Sequence, residues 1–258
     1  MKGDVFLQIT FLGTGTSHGI PVIACDCETC QSDNPKNKRN RTSIHIKSKK
    51  YNLLIDTPPE MRLELVNNNI KKVDAVLMTH AHADHIMGFD DIRALNWYQE
   101  KEMPVYADQG TLEHIRRIYP YIFSDNNLGG GVPQVILKEI EPIFQLQDLN
   151  IKAVPIYHGD NLILGYRINN FAYLTDCSKI PEDSFKLLEG IEYAAVDALR
   201  FKEHPTHMSV DQAVEMVNKL GLKHGYLTHM SHRVEHQELV EYLPDNLSPA
   251  YDGLVIEI

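Results

Sequence analysis

The sequence predicts a chain of the α/β or α+β class, with helices set between the strands of mixed β-sheets. Three observations carry that expectation. Short apolar runs of strand length alternate with amphipathic helical patterns from one end to the other. The 258 residues suffice to bury a full core in one large domain. No Gly/Ser tract, Pro-rich stretch, long like-charge block or internal repeat marks a linker or divides the chain, so a single domain over 1–258 is expected.

Taken in order, residues 5–11 read as the first strand, and 43–46 with 51–55 as a hairpin turning at Lys49-Lys50. Behind Pro58-Pro59, residues 60–68 read as a helix, with Met61, Leu65 and Val66 at helical spacing. Residues 73–78 form a buried apolar strand, and a helical pattern follows at 89–98. Further strands are expected at 105–106, 135–140, 151–156, 162–168, 171–174, 193–196, 226–228 and 254–258. Helices are expected at 109–118, 181–188 and 210–220, the last with Ser209 as N-cap.

Charge and hydropathy exclude some partners. A net charge of -10 argues against a general nucleic-acid binder, because phosphate backbones reward a basic footprint. Positive charge concentrates locally at Lys36, Lys38, Arg39, Arg41, Lys47, Lys49 and Lys50. That run reads either as a solvated loop and strand edge or as attraction for an anionic substrate, with Arg41 the candidate to touch a substrate phosphate. The first residues lead straight into Val5-Phe6-Leu7 without a signal-like apolar stretch, and no window reaches the length of a membrane span. A cytoplasmic protein without membrane partners is the expectation.

The chemistry begins where the strand at 73–78 ends. His80-Ala81-His82-Ala83-Asp84-His85 packs three imidazoles and a carboxylate into six residues, and these groups bind first-row divalent metals when deprotonated. His80 and His82, two apart in extended chain, share a side and can chelate one ion, while Asp84 and His85 follow the turn toward a second. Such a set accepts zinc, manganese or iron.

A His-x-His-x-Asp-His run after a strand resembles the signature of the metallo-β-lactamase superfamily. The resemblance implies a four-layered αββα sandwich of two mixed sheets with helices outside and a metal site at one edge. It also implies three further ligands, found here in their expected settings at His158, Asp176 and His229. On that pattern His80, His82 and His158 hold one ion, Asp84, His85 and His229 the other, and Asp176 bridges them. Asp56, at a strand end, reads either as a carboxylate that orients a ligand histidine or as a turn carboxylate before Pro58.

Cys25, Cys27 and Cys30 form a second cluster within a loop insertion at about 22–41. In a reducing compartment three thiols at this spacing suit a structural zinc better than a disulfide. The fourth ligand comes from His232, Cys177 or His18, with His232 preferred because it lies three residues beyond His229. This cluster, with Phe11-Leu12-Gly13-Thr14-Gly15-Thr16-Ser17-His18-Gly19-Ile20-Pro21, resembles the phosphodiesterase branch that includes the phosphoribosyl cyclic phosphodiesterase of the carbon–phosphorus lyase pathway, and its ribonuclease Z relatives. Phosphodiesterases of the superfamily carry a catalytic histidine upstream of the last ligand. His204-Pro205-Thr206-His207 supplies two candidates, of which His207 is chosen.

The expected activity is therefore metal-dependent hydrolysis of a small phosphodiester, cyclic nucleotide-like or ribose-based. Asp84 would accept a hydrogen bond from the attacking hydroxide, and His207, as imidazolium, would stabilise the phosphorane-like charge or protonate the leaving oxygen. A tRNA 3′-processing endonuclease is the rival, weakened by the acidic charge and by the lack of a long basic arm; only Leu128-Gly129-Gly130-Gly131 offers a short flexible loop. A thioester, lactone or β-lactam hydrolase would leave His207 without a task, and a non-catalytic metal-binding module would not need the full ligand set. Tyr119-Pro120-Tyr121-Ile122-Phe123 suits a pocket wall, the core or a homodimer interface.

Overall fold

A computed structural model describes residues 6–124 and 131–258. The chain first lays down β1 (Gln8–Gly13), β2 (Ser43–Lys47), β3 (Asn52–Ile55), β4 (Ala75–Leu77), β5 (Met103–Ala107) and β6 (Val135–Glu139). It continues through β7 (Ile143–Leu146), β8 (Leu149–His158), β9 (Asn161–Ile168), β10 (Phe171–Leu174), β11 (Tyr193–Asp197), β12 (His224–Thr228) and β13 (Leu247–Pro249), and returns with β14 (Val255–Glu257). Among the described residues these strands form two seven-stranded sheets, ordered β14-β1-β2-β3-β4-β5-β6 and β13-β12-β11-β10-β9-β8-β7. Both sheets are mixed in the same way. Pairing is antiparallel up to β3 in the first and β10 in the second, then parallel through β4, β5 and β6 and through β11, β12 and β13.

Side-chain alternation builds the layers. Along β3, Leu53 and Ile55 join the core between the sheets while Leu54 faces the opposite side. Along β10, Phe171 and Tyr173 point inward, and Ala172 and Leu174 outward. Because both faces of these strands are covered, they read as continuous apolar runs. Thr42 Oγ1 lies 3.0 Å from Tyr173 Oη and 2.9 Å from Thr228 Oγ1, which ties the sheets together beneath the site.

Besides a one-turn α1 (Glu28–Gln31), the chain forms α2 (Met61–Asn67), α3 (Ala83–Ile86), α4 (Ile92–Gln99), α5 (Gln109–Ile118), α6 (Glu182–Leu188), α7 (Val210–Leu220) and α8 (His236–Tyr242). Apolar stripes of α2, α4 and α5 cover the outer face of the first sheet, and those of α6, α7 and α8 the outer face of the second. The result is the four-layered sandwich expected from the sequence. Ser209 caps α7 in a reciprocal box with Gln212: Gln212 N donates to Ser209 Oγ, and Ser209 N donates to Gln212 Oε1.

Several boundaries differ from the sequence reading. The helix expected at 89–98 divides into a 3-10 turn at Phe89–Asp91 and then α4, because Gly88 N is held by Thr57 O and bends the entry. β8 runs past 156 to include His158. β7 and β13 are short sheet-edge strands without a strong apolar pattern, and neither is evident from the sequence. Leu128, Gly129 and Gly130 of the glycine loop lie outside the described residues. No described helix is long and apolar enough to cross a membrane.

Candidate metal centre

Parallel strands bring chemistry to one edge of a sandwich, because their C-terminal ends point the same way. Here Asp56 follows β3, His80 follows β4, Asp176 follows β10, Asp197 ends β11 and His229 follows β12. Asp56, Asp176 and His229 adopt left-handed backbone conformations, with φ of 65°, 56° and 58°. Left-handed backbone is strained for residues other than glycine and gathers at functional sites.

The central run is split by geometry. His82 takes the N-cap position of α3 in an extended conformation, so the helix turn carries Asp84 and His85, and the His85 ring packs 4.2 Å from that of His80. The rings of His80 and His82 lie 4.5 Å apart, and that of His158 sits 5.7 Å and 5.2 Å from them. On the other side, ligand atoms of Asp84, His85, Asp176 and His229 all lie within 4.8 Å of one another, and all four residues are buried. Asp176 reaches His85 Nε2 and His229 Nε2 at 3.2 Å each. A carboxylate oxygen of Asp176 is also within 4.8 Å of ring nitrogens of His158 and His207, which sets this residue between the two groups.

Hydrogen bonds fix the tautomers. His158 Nδ1 faces the carbonyl oxygens of Thr206 at 2.9 Å and Asp176 at 3.1 Å. Carbonyls only accept, so Nδ1 carries the proton and Nε2 keeps its lone pair for an ion. Asp56 Oδ2 likewise holds His85 through Nδ1, while Thr79 donates to both Asp56 oxygens through its backbone N and its hydroxyl. Asp56 is thus an orienting carboxylate. A turn carboxylate before Pro58, the other role open to it, would leave those contacts unexplained.

The electrostatics favour cations. Burial opposes ionisation of Asp84 and Asp176, but the imidazoles of His85 and His229 outweigh it and hold both carboxyls below the usual carboxylate range. Burial likewise works against charge on His229, yet Asp176 and Asp84 push it up to about 9, and the same carboxylates with Asp56 raise His85. His80 and His158 are lowered, chiefly by burial, and stay neutral. Meanwhile His85 Nε2 and both ring nitrogens of His229 are buried without a hydrogen-bond partner among the described residues. Orphaned imidazole nitrogens facing ionised carboxylates fit divalent ions, which would take the place of the protons.

His207 flanks this group. Its ring stacks on His229 with centroids 4.7 Å apart and planes at 14°, and it lies 4.7 Å from His158. Behind it stands Asp197, fully buried, with Oδ1 3.3 Å from His207 Nδ1 and 3.5 Å from His229 Nδ1, and Oδ2 accepting from Met208 N. The sequence reading does not single out Asp197. A carboxylate at or just beyond the end of an apolar strand, as at Asp56 and Asp176, is the signal that could have found it.

His82 is exposed, and with His158, Gly159, Asp160, Asn161 and Thr206 it lines a cleft that opens beside the ligand group. The remaining candidates fall elsewhere. Arg41 is ion-paired with Glu60 and donates through Nε to Ser17 O, so its charge is answered within the chain. Arg39 is buried and donates to the carbonyls of Ser231 and Val234, pinning the loop after His229. Tyr119 and Ile122 join the core under the first sheet's helices, and Tyr119 Oη donates to Ile86 O at the end of α3.

Cys25, Cys27 and Cys30 converge on His232, whose Nδ1 lies 3.2, 3.5 and 3.7 Å from their sulfurs. Ligand atoms around a tetrahedral zinc stand roughly 3.5 Å apart, so the donors and spacing fit that ion. Cys177 is fully buried away from this group, and His18 does not join it. The Gly-Thr-Gly-Thr turn serves the same region: Thr16 N donates to Met230 O, Met230 N donates to Thr14 O, and a Cβ on Gly15 would come within 2.8 Å of Arg39 O. That glycine lets the turn press against the segment of Arg39, the side chain that pins the loop after His229.

Comparison with known proteins agrees with this geometry. Residues 51–230 match the family described as the beta-lactamase superfamily domain. A diphosphatase from the PhnP family, known from its crystal structure, is 38% identical, with a TM-score of 0.91 over 98% of this chain and 97% of its own. The octanoyltransferase of Porphyromonas gingivalis is 38% identical over 253 residues, 96% of this chain and 51% of that protein. The chain thus spans about half the length of that relative, whose name belongs to the whole protein. Ribonuclease Z of Bacillus velezensis is 22% identical over 312 residues, covering 96% of this chain and 95% of that enzyme.

Proposed function

The chain belongs to the metallo-β-lactamase superfamily, on the PhnP branch, and from that premise we propose that it is a dinuclear metal-dependent phosphodiesterase acting on a small phosphodiester. The observation that carries the reading is His207, stacked on His229 at the rim of the ligand group with Asp197 behind it. A lactone or thioester hydrolase has no need of a backed acid at that point. The 38% identical diphosphatase supports phosphoryl chemistry as well.

His80, His82 and His158 would hold one ion, Asp84, His85 and His229 the other, with Asp176 shared; zinc, manganese and iron all suit these donors. When bound, such ions supply Lewis acidity and a nucleophile at neutral pH. Asp84, held ionised, orients the attacking oxygen by accepting its hydrogen bond. His207 delivers a proton to the leaving oxygen, and Asp197 answers the imidazolium charge at Nδ1. Asp56 and the carbonyls of Thr206 and Asp176 keep His85 and His158 in the ligating tautomer. Cys25, Cys27, Cys30 and His232 would hold a structural zinc, which would fix the loop leading out of His229.

The test is turnover of bis(p-nitrophenyl) phosphate, a cyclic ribose phosphate, a precursor tRNA and a lactone by protein of known metal content. Diester hydrolysis is expected. Cleavage of the precursor tRNA alone would favour the ribonuclease Z reading instead, and lactone turnover without diester activity would sink both.

A further inference from the structure

Strand alternation puts a polar patch on the first sheet where its helices elsewhere find apolar side chains. On the outer face of that sheet, Leu54 packs under the helices, and His45 and Thr10 continue its cross-strand row. Asn52, Lys47 and Gln8 form the next row on the same face. α2 ends at Asn67, and residues 68–72 wall a cavity of about 380 Å³ over these two rows, with Val255 of β14 on its other side. That volume suits a small molecule. Asn52 opens β3 and Lys72 precedes β4, whereas Asp56 and His80 follow those strands, so the cavity and the ligand group lie at opposite strand ends.

Three lysines and no carboxylate line this cavity, in a chain of net charge -10. Lys72 pairs with Asp74, which also receives Lys101 and the Asn52 carboxamide, and Glu257 on the neighbouring strand accepts from Gln8 Nε2. Lys47 and Lys71 have no ion-pair or hydrogen-bond partner among the described residues. Between the lysines the His45 ring is buried, and its Nε2 has no partner among the described residues either. Burial lowers this imidazole to about 4, and the charge of Lys47 acts in the same direction. His45 is therefore uncharged at neutral pH, and its orphaned nitrogen is costly unless a polar group answers it. The wall is held in place: Asn68 N and Nδ2 donate to Glu64 O, Asn69 N to Val66 O and Ile70 N to Leu65 O.

We propose that this cavity is a second ligand site, for a small phosphomonoester of the sugar-phosphate class. Lys47 and Lys71 are two unanswered ammonium groups, matched to a phosphoryl dianion. His45 Nε2, Thr10 and Asn69 take the hydroxyls beyond it, since a hydroxyl can serve an imidazole nitrogen as donor or as acceptor. Of the basic run between Lys36 and Lys50, Arg39 and Arg41 are spent inside the chain, whereas Lys47 is left for this task. The inference stands independently of the phosphodiesterase reading, because no residue of the ligand group lines the cavity.

The experiment titrates metal-loaded protein with ribose 5-phosphate, inorganic phosphate and ribose in a calorimeter, for wild type, Lys47→Ala/Lys71→Ala and His45→Ala. Wild type is expected to bind ribose 5-phosphate more tightly than inorganic phosphate, and ribose not detectably. The ligand group can also attract a phosphate, so the cavity is read as the binding event that the lysine variant weakens about tenfold or more. Both lysines are exposed, so this variant should keep its metal content and thermal midpoint. His45→Ala should weaken ribose 5-phosphate while leaving inorganic phosphate within about twofold; should it fail to fold, the lysine variant decides alone. Unchanged affinity in the lysine variant would place the sugar phosphate elsewhere and overturn the proposal. So would a wild type that binds no ribose 5-phosphate, or that binds inorganic phosphate or ribose equally well. None of these results bears on diester turnover.

Discussion

Asp56 Oδ2 lies 2.8 Å from His85 Nδ1, and both side chains are fully buried. The contact turns His85 Nε2 toward Asp84 and Asp176, and Thr79 keeps the carboxylate in place through two donors. Asp56→Ala should therefore weaken metal retention on the order of 10- to 100-fold, the usual loss when an outer partner of a ligating histidine is removed. Competition with a chromogenic chelator reads the affinity directly. Wild-type affinity in the variant would reduce Asp56 to a packing role.

His207→Ala should slow diester hydrolysis on the order of 10²- to 10⁴-fold while metal content stays intact. Asp197 is expected to act through the same ring, so the kcat of the His207→Ala/Asp197→Ala double variant should match that of His207→Ala alone. Asp197→Ala should also loosen metal, because Oδ1 faces His229 as well as His207. Fully additive losses in kcat would contradict a shared mode of action.

Metal loading should release protons. Burial alone would lower His229, but Asp176 and Asp84 raise it to about 9, so in metal-free protein this imidazole keeps its proton at neutral pH. A histidine raised above its unfolded value of 6.5 contributes stability that is complete below that pH and fades as pH climbs through about 9. Metal displaces the proton, so apparent affinity should rise as pH approaches 9, and calorimetric titrations near neutral pH should depend on the ionisation enthalpy of the buffer. Buffer-independent heats would show that the imidazole is already neutral.

Cys30→Ser should remove one metal equivalent and lower the thermal midpoint, because a structural zinc contributes directly to folding. His232 shares its loop with His229, so retention of the other ions should also weaken. An unchanged metal count would reduce the thiols to unmetallated neighbours.

Much of this site could be read from the sequence because its ligands cluster at strand ends. His80, His82, Asp84 and His85 are adjacent along the chain, and His158, Asp176 and His229 each end or follow an apolar run. Asp197 escaped because its partners, His207 and His229, are brought to it only by the parallel pairing of β11 with β12 and by the turn into α7. The basic run from Lys36 to Lys50 suggested a surface feature, yet Arg39 is buried under the loop after His229 and Arg41 is spent on Glu60. Whether a charged side chain faces solvent, a carbonyl or a carboxylate is decided by tertiary packing that composition does not encode. The short strands β7 and β13 went unseen for a related reason: their pairing is dictated by the sheet edges beside them.

The central claim is that this ligand group holds two catalytic ions for phosphodiester hydrolysis. Metal content and bis(p-nitrophenyl) phosphate turnover should be measured together as the protein is stripped with chelator and reloaded, for wild type and for Asp176→Ala. The account predicts that turnover tracks the return of two ions beyond the cysteine-bound one, and that Asp176→Ala neither retains the pair nor turns over the diester. Full diester turnover in stripped protein, or in an Asp176→Ala variant that has lost the pair, would contradict it.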